Sequence, residues 1–192
     1  MRRQPHPRVG GIPFAGWIPI ETLTASASST LDFKVGINST YDAYCFVFTN
    51  LLPSADGEDL GFRVSDDTGA TFKSGAADYE YNVIEQVSST EGVAAARNHA
   101  GTTRAIWAST VSNASGDGGL HGYLNFFQPD EAAFMFFEGF SVSFDNAATP
   151  DQTGCHSIGC YNGGTEVIDA VRLYPLSGNF TSGSAALYGL AK

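Results

Sequence analysis

The chain has 192 residues and a formal net charge of −10; 43% of it is hydrophobic and 12% aromatic, but only 16% is charged. A chain of this length buries roughly 70% of its unfolded surface and needs no disulfide or metal staple. So few charges exclude coiled coils and charged helical bundles, and the aromatic content excludes disorder. The excess of acidic residues argues against nucleic acid or an anionic membrane as partner of the folded body.

Residues 1–19 read as an extended N-terminal arm, and 20–192 as one domain. Four of the eight prolines, Pro5, Pro7, Pro13 and Pro19, fall in the arm, where they fix φ and remove hydrogen-bond donors. Arg2, Arg3 and Arg8 make it basic, since no acidic residue precedes Glu21. Ile12, Phe14, Trp17, Ile18 and Ile20 are larger and more apolar than a free linker needs. Such an arm is expected to lie on a surface, its own or a neighbour's. Pro13 and Pro19 interrupt any signal-peptide core, and no run approaches the ~18 apolar residues of a membrane span. Three cysteines, an odd count without framework spacing, point to a reducing site of assembly.

Beyond the arm the pattern is β. Tyr44, Phe46 and Phe48 alternate with Cys45, Val47 and Thr49, the period of a strand with one buried face. Leu60, Phe62 and Val64, then Tyr79, Tyr81 and Val83, then Phe140, Val142 and Phe144 repeat it, and Val167, Val171 and Leu173 share a side of another strand. Further strands are expected at 31–35, 105–111, 120–127, 155–161 and 184–190. Gly, Asn and Asp clusters at 66–69, 115–119, 162–164 and 177–179 supply the turns. The weak helix candidate is 91–99, with Ala94, Ala95 and Ala96 but neither cap nor apolar stripe. About ten short strands predict an all-β protein. The expected fold is an antiparallel β-sandwich, jelly-roll-like, with Phe46, Phe48, Phe62, Val64, Val142, Val171 and Leu173 in its core.

Motifs that carry chemistry are sparse. Cys155, His156 and Cys160 cluster in sequence, with His121 as a conceivable fourth zinc ligand. Their spacing matches no common zinc knuckle, and neighbours on a strand point to opposite faces. A Cys155–Cys160 disulfide is an alternative, and packed free thiols are the default expectation. Asp66-Asp67 and Glu58-Asp59 read as turn formers rather than catalytic pairs. Asp-rich turns could also chelate calcium, though no EF-hand spacing is present. No G-x-S-x-G elbow or phosphate-binding glycine loop occurs. Sequons at Asn38, Asn113 and Asn179 receive no glycans in a chain without a readable signal peptide. Trp17 and Trp107, with the tyrosines, could form a sugar-stacking face. No metal, cofactor or enzymatic activity is expected.

The most distinctive stretches lie at the ends of the domain. Ile20-Glu21-Thr22-Leu23-Thr24-Ala25-Ser26 opens it, Ile37-Asn38-Ser39-Thr40-Tyr41-Asp42-Ala43-Tyr44 leads into the first aromatic strand, and Ser177-Gly178-Asn179-Phe180 with Leu187-Tyr188-Gly189 closes it. Here the chain resembles a family of small virion proteins of tailed bacteriophages, common in marine and cyanobacterial phages. Its members share an I-E-T-x-T-A-S start, an I-D-S-T-Y-D-x-Y strand opening and an S-G-N-I-x-x-G-x-x-x-L-Y-G finish. The likeness spans roughly residues 20–190; Phe180 stands where an aliphatic is usual and Asn38 where Asp is usual.

The resemblance implies a structural role on the particle, head or tail, with no catalytic residues. The expected function is a capsid decoration or cement protein on the outside of the head, located in the virion after assembly in the host cytoplasm. Its expected partners are the major capsid protein or other virion subunits, and further copies of itself in a homo-oligomer, taken as a trimer. The arm residues Arg2, Arg3, Arg8, Ile12, Phe14, Trp17 and Ile18 are the candidate attachment site. A tail-fibre or receptor-binding module recognising a host glycan is the alternative, and a glycan depolymerase ranks third.

Overall fold

Short apolar runs separated by Gly, Asn and Asp turns become antiparallel ladders in the computed structural model, which describes residues 16–89, 92–146 and 151–190. In chain order the strands are β1 (Trp17–Thr24), β2 (Leu31–Phe33), β3 (Ala43–Pro53), β4 (Glu58–Ser65), β5 (Tyr79–Val87) and β6 (Ala95–Thr102). They continue as β7 (Ala105–Val111), β8 (Leu120–Phe127), β9 (Met135–Phe144), β10 (Gln152–Tyr161), β11 (Ala170–Pro175) and β12 (Phe180–Leu190). Among the described residues the sole helical element is a 3-10 turn at Ser115–Asp117.

Two antiparallel sheets pack face to face. The large one has eight strands in the order β1-β12-β3-β8-β9-β10-β5-β6, and the small one has four, β2-β11-β4-β7. Setting β5, β6, β9 and β10 aside leaves β1-β12-β3-β8 over β2-β11-β4-β7. That is the winding of a jelly roll: the chain runs down one sheet and crosses to the other while its two halves pair antiparallel. The four remaining strands extend the large sheet beyond the small one. The expected jelly-roll sandwich is therefore the observed fold, with an extension.

The core between the sheets is aromatic. Phe33, Phe46, Phe62, Phe126 and Trp107 are fully buried. Phe62 packs edge-on to Phe137, its ring centroid 4.8 Å away, and Trp107 stacks on Phe48 at 4.2 Å. Of the expected core residues, Phe46, Phe48, Phe62, Val64, Val171 and Leu173 are buried. Val142 is the exception and corrects the reading of β9. Met135, Phe137, Gly139, Ser141 and Ser143 point inward on this strand, whereas Phe136, Phe140, Val142 and Phe144 point out.

Three further elements differ from expectation. Residues 95–102 form β6, an edge strand on β5, where a helix was the weak candidate; the segment has no apolar stripe to anchor a helix but completes the open ladder of β5. Strand β11 begins at Ala170, leaving Val167 46% exposed and outside it. Strand β1 begins at Trp17 and so crosses the boundary drawn after residue 19. It is the outermost strand beside β12, and Pro19 sits where the register shifts. An edge is where a residue without a backbone donor is tolerated.

Candidate interaction surface

Of the arm residues, Arg2, Arg3, Arg8, Ile12 and Phe14 lie outside the described residues. Trp17 and Ile18 are on β1, 45% and 41% exposed. Trp17 pairs in register with Leu190 at one rim of the large sheet.

The cysteine–histidine cluster is split by its own strand. On β10 the alternation turns Cys155 inward, to 2% exposure. His156 and Cys160 lie on the other phase of that strand. Cys155 and Cys160 are free thiols on opposite faces, which no disulfide can join. Among the described residues no three His, Cys, Asp or Glu side chains converge to hold a metal ion. Burial pushes the Cys155 thiol upward and the Cys45 thiol up to about 11, so at neutral pH neither is the thiolate a nucleophile requires.

The acidic pairs tie the fold together. Asp67 accepts hydrogen bonds from the Thr71 hydroxyl, at 2.6 Å, and from the Thr71 and Ser65 groups around it, which hold its carboxyl far below the ordinary range. Buried Glu58 accepts from the Ser177 amide and hydroxyl at 2.6 and 2.7 Å. Glu85 accepts from Ser109 Oγ at 2.6 Å and Thr110 Oγ1 at 3.1 Å, and Ser109 Oγ lies 3.6 Å from Cys155 Sγ. That last trio has nucleophile and acid chemistry on paper. Yet Glu85, Ser109 and Cys155 are all at most 7% exposed, and no histidine joins them in these contacts. It is a buried polar network that satisfies its own members.

What remains is the outer face of the large sheet. Its register places side chains in continuous rows across the strands. One row runs Ala186, Val47, Tyr123, Phe140, His156, Ile84, Ala96 from β12 to β6. The next holds Tyr188, Cys45, Asn125, Glu138, Ile158, Asn82 and Asn98. A third carries Phe127, Phe136, Cys160 and Glu80. Phe136 is 58% exposed, Ile158 49% and Phe140 43%. Nothing in the chain's described residues packs over them.

Two shallow depressions flank the central Tyr123–Phe140 ridge. One, of ≈ 640 Å³, is bounded by Trp17, Tyr188, Cys45, Val47, Tyr123 and Asn125. The other, of ≈ 540 Å³, lies over β10, β5 and β6 and includes Phe136, Ile158, Glu80 and Asn98. Trp17 and Trp107 do not form a joint sugar platform: Trp107 is fully buried against Phe48. Sequence reasoning missed this face because it assigned every apolar phase to the core. The signal that could have found it is the small-residue phase of β9, Gly139, Ser141 and Ser143, which leaves the bulk to the other side.

Contiguous exposed apolar side chains of this kind mark surfaces that other molecules contact. No protein-family model matches the chain, and no curated protein matches it.

Proposed function

We propose that the chain is a bacteriophage virion structural protein, a capsid decoration or cement protein that binds the outside of the head and stabilises the coat lattice. The observation that carries this reading is the outer face of the large sheet, an open row of side chains from Val47 to Ile84 with Trp17 at its rim. A protein that works by being held in a lattice needs such a surface, and contacts repeated around a multimer add through avidity. The likeness of the domain's ends to small phage virion proteins supports the same reading. The jelly-roll architecture is common to capsid proteins and lectins, so it does not choose between them.

In this reading Arg2, Arg3, Arg8, Ile12, Phe14, Trp17 and Ile18 attach the subunit to the major capsid protein or an adjacent copy. Deleting residues 1–16, which leaves β1 intact, is expected to yield a folded domain that no longer co-sediments with particles. A truncated protein that binds particles as tightly as the full chain overturns the attachment role. Densitometry of purified particles tests the class: cement is present in proportion to coat subunits.

The receptor-binding alternative has one observation in its favour. Trp17, Tyr123 and Tyr188 surround one depression, and exposed aromatic rings stack on sugars. The polar side-chain groups of the groove are, however, two tyrosine hydroxyls, the Trp17 indole N–H, the Cys45 thiol and the Asn125 amide, with no charged group among them. A saccharide site fixes its ligand with several convergent polar groups. A glycan array with the purified protein separates the readings.

A further inference from the structure

We infer that residues 1–15 of the chain dock on the outer face of the same subunit's large sheet, with Phe14 and Ile12 entering the groove beside Trp17. The inference concerns the chain free of particles and does not rest on a virion role; for the face and the arm both to contact a coat, the arm would have to leave the face on attachment. Three observations carry it.

The first is where the described chain begins. Trp17 is on β1 at the rim of the sheet, and its side chain is one wall of the groove that Tyr188, Cys45, Val47 and Tyr123 complete. The preceding segment therefore starts at the groove, and Gly16 places no side chain at the point of return.

The second is reach. An extended chain covers ~3.3 Å per residue, and strands lie ~4.8 Å apart. Phe14, three residues before Trp17, reaches ~10 Å, which spans the two strand spacings from β1 to β3 and Val47. Ile12, at ~17 Å, reaches Tyr123 on β8. Arg8 reaches ~30 Å, far enough for Glu138 on β9 or Glu80 on β5.

The third is charge. No residue that the register directs outward on the large sheet is Lys or Arg, while Glu138 and Glu80 are among them. The segment before Trp17 carries Arg2, Arg3 and Arg8 and no acidic residue. A cation-free, apolar face thus meets a basic, apolar strap. Beneath it Asn125 Oδ1 has no hydrogen-bond partner among the described residues and can accept one from the strap. A second copy packed face to face would bring Glu80 and Glu138 together without a cation, which disfavours that occupant.

The test is a photo-cross-link in the full chain, with Phe14→p-benzoylphenylalanine irradiated at high dilution without particles and the adducts mapped by mass spectrometry. The expected product is monomeric, joined within one chain to peptides containing Val47, Tyr123 or Tyr188. Its yield should fall severalfold when Arg2, Arg3 and Arg8 are changed to Glu, and again in Tyr123→Asp, whose exposed position keeps the fold intact by circular dichroism. Adducts between chains at this face would make a second copy the occupant and overturn the inference. Adducts elsewhere on the subunit, or none, would overturn it as well.

Discussion

Strands β3 and β9 lie two places apart in one sheet and look alike in sequence, yet they bury opposite things. On β3 the aromatic phase, Tyr44, Phe46 and Phe48, is at most 2% exposed and faces the small sheet. On β9 the corresponding phase, Phe136, Phe140 and Phe144, is 58%, 43% and 38% exposed, while Ser141 and Ser143 are buried. The difference is in what the inner side of each strand meets. The inner side of β3 meets large side chains such as Phe33, at 5.0 Å, and Trp107. On the inner side of β9 the room between neighbouring strands is taken: a Cβ on Gly139 would come within 2.9 Å of Ser157 Oγ on β10 and 3.0 Å of Leu124 on β8, its register partners in the same sheet. Period-two alternation shows that a strand has two different faces. The neighbours that each face meets decide which of them is inside.

The largest effect expected from this contrast is on β3. Phe46→Ala removes a fully buried ring that touches Phe33 and Phe126 and should cost about 3–5 kcal/mol in urea denaturation. A loss below about 1 kcal/mol would mean that the aromatic layer does not hold the sheets together.

Gly139→Ala sharpens the contrast from the other side. The added methyl meets Ser157 Oγ, Leu124 Cδ1 and the Tyr123 carbonyl oxygen at 2.9, 3.0 and 3.1 Å. Overpacking of this kind costs about 1–3 kcal/mol, and the same denaturation experiment reads it. A neutral result would show that the inner side of β9 is small by chance rather than by contact.

The two outer faces also differ. That of the small sheet is charged: Arg172 donates to both oxygens of Asp32 at 2.8 and 2.7 Å and lies 4.1 Å over the Phe72 ring, and Arg63 lies over Tyr174. Burial raises the Asp32 carboxyl, but the Arg172 hydrogen bonds and charge, with a hydrogen bond from Thr30, outweigh it and leave the group below its ordinary value. A depressed folded pKa contributes stability above the unfolded value of ~3.9 and loses it as pH falls through the folded value. Arg172→Met should therefore destabilise by ~1–3 kcal/mol at neutral pH, and the gap to the parent protein should close as pH falls below ~4. A gap independent of pH would assign the loss to packing on Phe72 alone.

Much of this was legible from residues. Alternation located β3, β4 and β5 because each places most of its large side chains on a single phase. Turn chemistry located their ends. Three features were not legible, for physical reasons. Residues 95–102 carry small and polar side chains with no period, and they are a strand only because β5 offers an unpaired edge. Trp17–Thr24 carries two unfavourable strand signals, Pro19 and a register shift, that an outermost strand tolerates. The outward phase of β9 depends on the side chains that β8 and β10 bring beside its inner face, which no local pattern encodes. The outer face was hidden for the same reason, since Val47, Tyr123, Phe140 and Ile84 come from four separate strands and only their register makes them a row.

The smallest expected effect is the sharpest test of the contrast. Phe136 and Phe140 are the residues that periodicity would put in the core and the structure puts outside. Phe140 is 43% exposed and its nearest ring, Tyr123, is 6.5 Å away; Phe136 has still less cover. Replacing either by Ser removes partial burial on one side of a sheet and leaves no cavity, so each should cost about 1 kcal/mol or less. Were β9 turned the other way, each would be a core deletion of about 3–5 kcal/mol, with a hydroxyl stranded among rings. The decisive quantity is the ratio within one experiment. Phe46→Ala should lower the urea midpoint several times further than Phe140→Ser, at unchanged denaturant slope. Equal shifts would place the aromatic phase of β9 inside, and with it would go the apolar outer face on which the docking of residues 1–15 depends.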